Sequence, residues 1–330
     1  MRDVCLAMDV VGFGSLNVDM IYRVADPRVV DNLKPGGEVF GDKHSLEKIL
    51  GVVKRVGVSC GVWGGGSAAN TMVALSRLGF RTGVVGRVGS DANADLILEG
   101  LRSEGVDTGG VKSGPGESGV CLTLVDREGE RTLYVVPNAN SLLSYEDLDL
   151  DYLFGAKVLH LTSFVGTNPL EAQLRVVRKA PKGLHISFDP GEIYARLGLD
   201  AVMDIIKRSS IVFITRKELE VLTGLEYPRG VDELLEHVGL VVCKLGAEGS
   251  AIHFRGGAIQ VAPAKVFSVV DRTGAGDVYN AGFLAGFLRG ESLERCGQIA
   301  SRAAALSLAG YGRSSYPGPK VLEGGGCYGC

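Results

Sequence analysis

The sequence has almost no net charge: 35 lysines and arginines face 38 aspartates and glutamates over 330 residues, for a formal charge of −3. So even a balance leaves no basic footprint for nucleic acid and no polybasic patch for an anionic membrane. No apolar run reaches membrane-spanning length. The opening Met1–Asp9 sets acids on both sides of a very short apolar stretch, unlike a secretory signal. The expectation is a cytoplasmic protein that binds neither nucleic acid nor membrane. Ordered cysteine spacing is lacking too. The seven cysteines are scattered, most of them inside apolar runs such as 241–243, where a reduced, buried thiol is expected. Cys327 and Cys330 have CxxC spacing, but no second pair completes a zinc site, and the flanking glycines read as a flexible tail over 321–330.

What the chain does have is an alternation of short apolar runs and longer amphipathic stretches. The runs at 10–13, 83–88, 158–162, 185–188, 211–214 and 240–245 are predominantly apolar, as strands buried on both faces are. Between them, 92–103, 170–179 and 199–207 carry helical periodicity. This order predicts an α/β fold, a doubly wound, mainly parallel sheet with helices on both faces. With 45% apolar residues, one domain over 1–330 is the expected organisation. Two segments interrupt the alternation. Residues 118–136 predict a hairpin around the turn Asp126-Arg127-Glu128-Gly129. Residues 20–63 hold extended pieces at 20–24 and 56–63 around a charged helical stretch at 45–55. Together they predict a small β-sheet lid over a site on the main sheet. A plain surface hairpin is the other reading.

Three glycine-rich turns carry the chemistry. The first is Asp271-Arg272-Thr273-Gly274-Ala275-Gly276-Asp277, which opens a helical run. Small residues at 274–276 let backbone N–H groups at a helix start meet an anion. Asp277 in that first turn is placed to take a proton from a hydroxyl. The residues alone leave it equally readable as a helix cap. No Gly-Lys-Ser/Thr follows, so the turn is not a Walker A loop. The second turn, Gly64-Gly65-Gly66-Ser67-Ala68-Ala69-Asn70, sets Asn70 one turn into a helix, able to offer a donor and an acceptor to a polyol. A glycine turn capped by Ser67 explains it as well. The third, Gly12-Phe13-Gly14-Ser15-Leu16-Asn17-Val18-Asp19, follows the first strand at the carboxyl end, where open α/β sheets bind ligands. Asp19 there suits paired sugar hydroxyls, and a simple turn is the alternative.

These segments together resemble the ribokinase, or PfkB, family of carbohydrate kinases, in order and over nearly the whole chain. The two family signatures look like Gly65–Asn70 with Leu78-Gly79, and Asp271 through Gly282. Gly86-Arg87-Val88-Gly89-Ser90-Asp91, Leu222-Thr223-Gly224 and Lys244-Leu245-Gly246-Ala247-Glu248-Gly249 agree with it. The resemblance implies a ribokinase-like fold and transfer of a nucleotide's terminal phosphoryl group, ATP first, to a hydroxyl of a sugar or sugar derivative. It implies Asp277 as general base and Gly274, Ala275 and Gly276 as anion hole. Asn17, Asp19, Gly65, Gly66 and Asn70 match sugar-contacting positions, and Asn140 matches the polar residue after the lid hairpin. Thr215, Glu218, Lys244, Gly246 and Gly249 fall on the nucleotide side, together with Gly274 and Gly276. Glu218 is implied to act on Mg2+ through water, and Asp271 to hold K+ with the loop 308–315. Arg131, and with it Arg87, are candidates to meet a substrate phosphate. A lid sheet has free edges and an apolar outer face, so a homodimer through the lid is expected.

The departures from the pattern matter. Thr215 and Arg216 stand where the NxxE motif has Asn and, commonly, Glu, while its final acid remains as Glu218. Ser67 replaces a signature lysine of ribokinases, and Thr162-Ser163 stand where they carry an acid for ribose, which argues against free ribose. The segment from Asp19 to Gly65 is longer than in bacterial ribokinases, and Arg272 sets a cation beside the anion hole. A nucleoside kinase acting on the ribose 5′-hydroxyl is the alternative, and a sugar-binding regulator without catalysis a more remote one.

Overall fold

The computed structural model describes residues 8–30, 33 and 35–323. These hold fourteen strands: β1 (Val10–Phe13), β2 (Asn17–Arg23), β3 (Glu38–Phe40), β4 (Val58–Gly65), β5 (Thr82–Val88), β6 (Val106–Ser113), β7 (Gly119–Val125), β8 (Arg131–Val136), β9 (Val158–Thr162), β10 (His185–Asp189), β11 (Ile211–Thr215), β12 (Leu240–Lys244), β13 (Ser250–Phe254) and β14 (Gly257–Val261). Nine form the main sheet in the order β14-β13-β12-β11-β10-β9-β1-β5-β6. It is parallel from β12 to β6, and β13 and β14 add an antiparallel edge. The apolar runs end up where that pattern requires. All four residues of β1 and all five of β9 are buried, with one core cluster on each face of the sheet. The sequence reading did not find β6, where two glycines break the apolar run, nor the hairpin β13–β14.

The lid is a five-stranded sheet in the order β3-β8-β7-β2-β4. Its hairpin β7–β8 and the strands β2 and β4 match the expected insertions, and β3 is an addition. Only residues 14–16 separate β1 from β2, so the chain passes from the main sheet straight into the lid. Strand pleating then sorts the side chains. Val120, Leu122 and Leu124 of β7 and Tyr134 and Val136 of β8 point to one face. Cys121, Thr123, Arg131, Leu133 and Val135 point to the other, over the ends of the main strands.

The apolar outer face is covered from within the chain. Helix α1 (Lys43–Val56) starts at Asp42, whose carboxylate accepts the Ser45 N–H at 2.9 Å. Its Leu46, Ile49, Leu50 and Val53 recur at i, i+3, i+4 and i+7 and pack on that face. Burial of Leu46 and Val53 contributes roughly 1.5–3 kcal/mol each. The helix that lengthens this segment therefore does what a second copy was expected to do, and the argument for a dimer from an uncovered outer face falls. The edge β4 stays open, with Val58 58% and Val62 46% exposed.

One smaller expectation changes as well. Val321 and Leu322 are buried in the main core, so the chain is still packed where the tail was expected to begin. Cys327 and Cys330 lie outside the described residues. Cys121, Cys243 and Cys296 are free and buried, as the apolar runs around them predict. Among the described residues no helix is long and apolar enough to cross a membrane.

Candidate active site

A cavity of about 450 Å3 lies between the inner face of the lid and the carboxyl ends of β10, β11 and β12. Crevices at the carboxyl ends of parallel strands are where open α/β sheets take ligands.

At one end, strand termini deliver charge. Asp189 closes β10 and Lys244 closes β12, and the Lys244 ammonium lies 2.8 Å from the Asp189 carboxylate. Asn280 Nδ2 donates to the same carboxylate oxygen at 2.6 Å, and the Gly191 N–H donates to the other at 3.1 Å. Burial works to raise the Asp189 carboxyl, but the Lys244 charge and hydrogen bond together with the Asn280 hydrogen bond outweigh it and hold the group below its usual range. Burial likewise works against the Lys244 charge, and Asp189 and Glu218 outweigh it. Thr215 ends β11 as the cap of helix Arg216–Thr223: its hydroxyl accepts the Glu218 N–H at 3.2 Å, and Glu218 accepts the Thr215 N–H at 2.8 Å. The Glu218 carboxyl is raised by burial and then by Asp189.

At the other end stands Asp277, in the first turn of helix Ala275–Leu288. Gly274 before it has φ 74°, and a Cβ there would come 2.5 Å from the Tyr316 hydroxyl, so glycine is required on both counts. Asn70, near the start of helix α2 (Ser67–Arg77), donates from Nδ2 to Asp277 Oδ2 at 2.9 Å. Burial pushes the Asp277 carboxyl up to about 6 against that hydrogen bond, and pushes Asp19 up to about 7 against the charge of Arg313. Asp19 and Arg131 reach this end from the lid. An acid at a helix start, with open N–H groups beside it, can take a proton from a hydroxyl while those groups stabilise an anion.

Most expected residues meet here. Asn17, Asp19, Gly66, Asn70, Arg131, Asn140, Thr215, Glu218, Lys244, Gly274, Gly276 and Asp277 all line the cavity. Several do a different job from the one expected. Asn140 is engaged with the β1–β2 link and the side chain that follows it: Oδ1 accepts Leu16 N at 2.8 Å, and Nδ2 donates to Leu16 O and to the Asn17 side-chain Oδ1, each at 2.9 Å. It fixes the β1–β2 link. Gly65 does not line the cavity; a Cβ on it would fall 2.0 Å from the Asp19 carboxylate, so its bareness seats Asp19. Ala275, Gly246 and Gly249 are not among the lining residues either, and the two glycines shape the turn from β12 to β13. Asp271 is buried under the loop, accepting Thr273 N at 2.8 Å and Gly312 N at 3.1 Å.

Two arginines are corrected. Arg87 pairs with Asp147 at 2.8 Å away from the cavity. Arg272 is half-exposed and reaches Glu130 of the lid turn at 3.9 Å rather than standing over the anion hole. Asp189, Asn280, Glu38 and Arg313 were missed as site residues. Asp189 had a signal, since Asp189-Pro190-Gly191 follows the strand run at its carboxyl end.

The chain is similar to known proteins over most of its length. The model of the pfkB family carbohydrate kinases matches residues 51–319. A sugar kinase of Archaeoglobus fulgidus is 37% identical over 72% of this chain and 95% of that protein. The ATP-dependent ribose-1-phosphate kinase of Halopiger xanaduensis is 33% identical over 77% and 83%. The adenosine kinase of Sinorhizobium meliloti superposes with a TM-score of 0.85 at 25% identity, over 95% of both chains.

The raised carboxyls make a stability prediction. A folded-state pKa of about 6 or 7 means the folded protein takes up the proton more readily than the unfolded chain. Ionising these groups therefore costs stability above about pH 7, and the cost is relieved as pH falls toward 4. Ligand-free Asp277→Asn should be ~1–2 kcal/mol more stable than wild type at pH 8, allowing for solvent in the open cavity, with the difference about halved at pH 5 and closing toward pH 4. Urea denaturation at these pH values checks this; a variant less stable at pH 8 contradicts it.

Proposed function

This chain belongs to the pfkB family of carbohydrate kinases, a phosphotransferase with an alcohol acceptor and a ribokinase-like fold, and we propose that it moves the terminal phosphoryl group of ATP to a hydroxyl of a sugar. One observation carries the assignment of roles: Asp277 sits in the first turn of the helix behind Gly274 and Gly276, inside the cavity, with one oxygen held by Asn70. Its free oxygen takes the proton of the acceptor hydroxyl. The acceptor oxygen bonds to the terminal phosphorus as the bridge to the leaving diphosphate breaks. The amides at 274–276 meet the charge on the transferred group. Thr215, Glu218 and Lys244 face the nucleotide. A nucleotide donor goes with a cytoplasmic setting.

The lining argues for the acceptor class. Among the described residues, no Phe, Tyr or Trp lines the main cavity, while Asn17, Asp19, Glu38, Thr123 and Arg131 do. A nucleobase prefers an aromatic face to stack on. A polyol needs the donors and acceptors present here, and Arg131 suits an anionic substituent. A nucleoside acceptor is the second reading, favoured by the likeness to the adenosine kinase over 95% of the chain.

Magnesium fits as a companion of the nucleotide. Among the described residues no cluster of three or more His, Cys, Asp or Glu forms a cage, which suits an ion carried by phosphates and waters. Glu218 would orient those waters, and the ion would neutralise phosphate charge. A monovalent cation fits beside Asp271, whose two oxygens each accept a single backbone N–H and keep lone pairs free. The loop 308–315 would complete it, steadying the amides that Asp271 ties through Thr273.

Three outcomes follow. Asp277→Asn should keep its fold and nucleotide affinity and lose ~10²–10⁴-fold in kcat. The assay is product release over a panel of sugars, sugar phosphates, sugar acids and nucleosides; near wild-type turnover would make Asp277 a helix cap alone. Potassium should give faster turnover than sodium or a bulky organic cation at equal ionic strength, in wild type and in Arg272→Thr alike, because Arg272 is engaged with the lid. Equal rates in all three salts would remove the cation. Finally, the open β4 edge is where a second copy would pair. Light scattering should show a dimer that Val62→Glu separates, and a wild-type monomer would end that assignment.

A further inference from the structure

Arg313 is only 7% exposed, and no carboxylate among the described residues lies within ion-pair distance of it. Its Nε donates to Asn70 Oδ1 at 2.9 Å, and its Nη2 has no partner among the described residues. A small cavity of about 10 Å3, room for roughly one water, adjoins it and is lined also by Asp19, Asn70, Thr273 and Tyr316. The loop is anchored from beneath. Arg77, paired with Glu104 at 2.8 and 2.6 Å, donates to the carbonyls of Arg313 at 2.8 Å and Tyr316 at 3.2 Å. Helix α2 thus grips the same loop at both ends, through Asn70 and through Arg77.

The consequence lies in which way the Asn70 amide points. Guanidinium only donates and an ionised carboxylate only accepts. With Arg313 on one side and Asp277 on the other, the amide oxygen must face Arg313 and the NH2 must face Asp277. Without Arg313 the amide is free to turn and set its oxygen against the carboxylate. We propose that Arg313 is a positioning residue for the transfer: it locks the Asn70 amide so that one oxygen of Asp277 is held and the other is left for the acceptor, and it supplies the buried positive charge shared by Asp19 and Asp277.

This rests on the kinase reading and deepens it. Other charges act on the same pair. Asp189, Lys244 and Arg131 face Asp277, and Arg131, Asp271 and Asp277 face Asp19. Arg313 is the largest opposing charge on Asp19.

The test has an arm that needs no turnover. Aspartate 13C-carboxyl resonances of ligand-free wild type, Arg313→Met and Arg313→Lys are titrated by NMR, alongside kinetics with and without Asn70→Ala. In Arg313→Met the Asp19 and Asp277 midpoints should move to higher pH, and kcat should fall ~10–100-fold with nucleotide KM within about twofold. On the Asn70→Ala background the same change should cost less than about threefold, because the two act in series. Arg313→Lys should keep the wild-type midpoints but not the full kcat, and it stands in should Arg313→Met fail to fold. Unmoved midpoints in Arg313→Met, or losses that multiply in the double variant, would overturn the proposal. A wild type that phosphorylates no acceptor would overturn the kinase reading instead, while the carboxyl titration still decides the role of Arg313.

Discussion

To act as the proposed base, Asp277 must stay ionised in a partly desolvated cavity, and much of the surrounding structure fits that constraint. A carboxylate taken out of water needs donors or an opposite charge. A cation in direct contact would satisfy it but would also quench it as a base. The structure gives Asp277 a neutral donor, Asn70, and keeps the cations one step away: Arg313 behind Asn70, and Lys244 beside Asp189. The group stays basic enough to accept a proton and ionised enough to be ready for one. The rule differs at the other end. Asp189 is paired directly with Lys244 and Asn280, so its carboxylate is a fixed negative partner rather than a base.

This contrast explains which parts of the site were legible in the sequence. Asp277, Asn70 and Asp19 lie in glycine-rich turns, and such turns advertise close backbone approach. The strands were equally open to reading, because burial on both faces leaves a predominantly apolar run. Asp189 is hidden because it directly follows the strand run at 185–188, where the strand pattern gives way to a turn. Asn280 lies one turn after Asp277, on the same helix face, but inside an apolar stretch that conceals a single amide. Arg313 meets Asn70 across 243 residues of sequence, and no local pattern announces such a contact. Arg87 and Arg272 show the converse. Their charge was plain, but their partners, Asp147 and Glu130, are set by the fold alone.

The lid carries a similar lesson about faces. Its strands were recognised from their extended pieces, yet pleating decides what each residue does, and pleating is read only once a register is known. With β7 and β8 in register, every second side chain turns outward under α1 and the others turn inward to the cavity. The amphipathic stretch at 45–55 was visible as a helix. Its destination on the outer apolar face was not, because an apolar stripe states that a helix is covered without stating by what.

Under the proposed kinase reading, the division between main sheet and lid also separates two kinds of specificity. Asp189, Thr215, Lys244 and the helix start at Gly274 stand on strand ends and a buried helix, held by a core with little freedom to rearrange. Groups built that way suit what every cycle shares, a nucleotide phosphate and a transferring phosphoryl group. Asn17, Asp19, Glu38, Cys121, Thr123 and Arg131 stand on lid strands, joined to the core through the short link at residues 14–16. Substitutions on the inner lid face can reshape the acceptor pocket without disturbing the phosphate end. Asn140 is the exception that holds the two together, since it clamps Leu16 and Asn17 where the chain crosses from one sheet to the other. Its amide bonds are therefore a structural condition for Asp19 to face Asp277 at all, and the acceptor end is assembled only while that crossing keeps its shape.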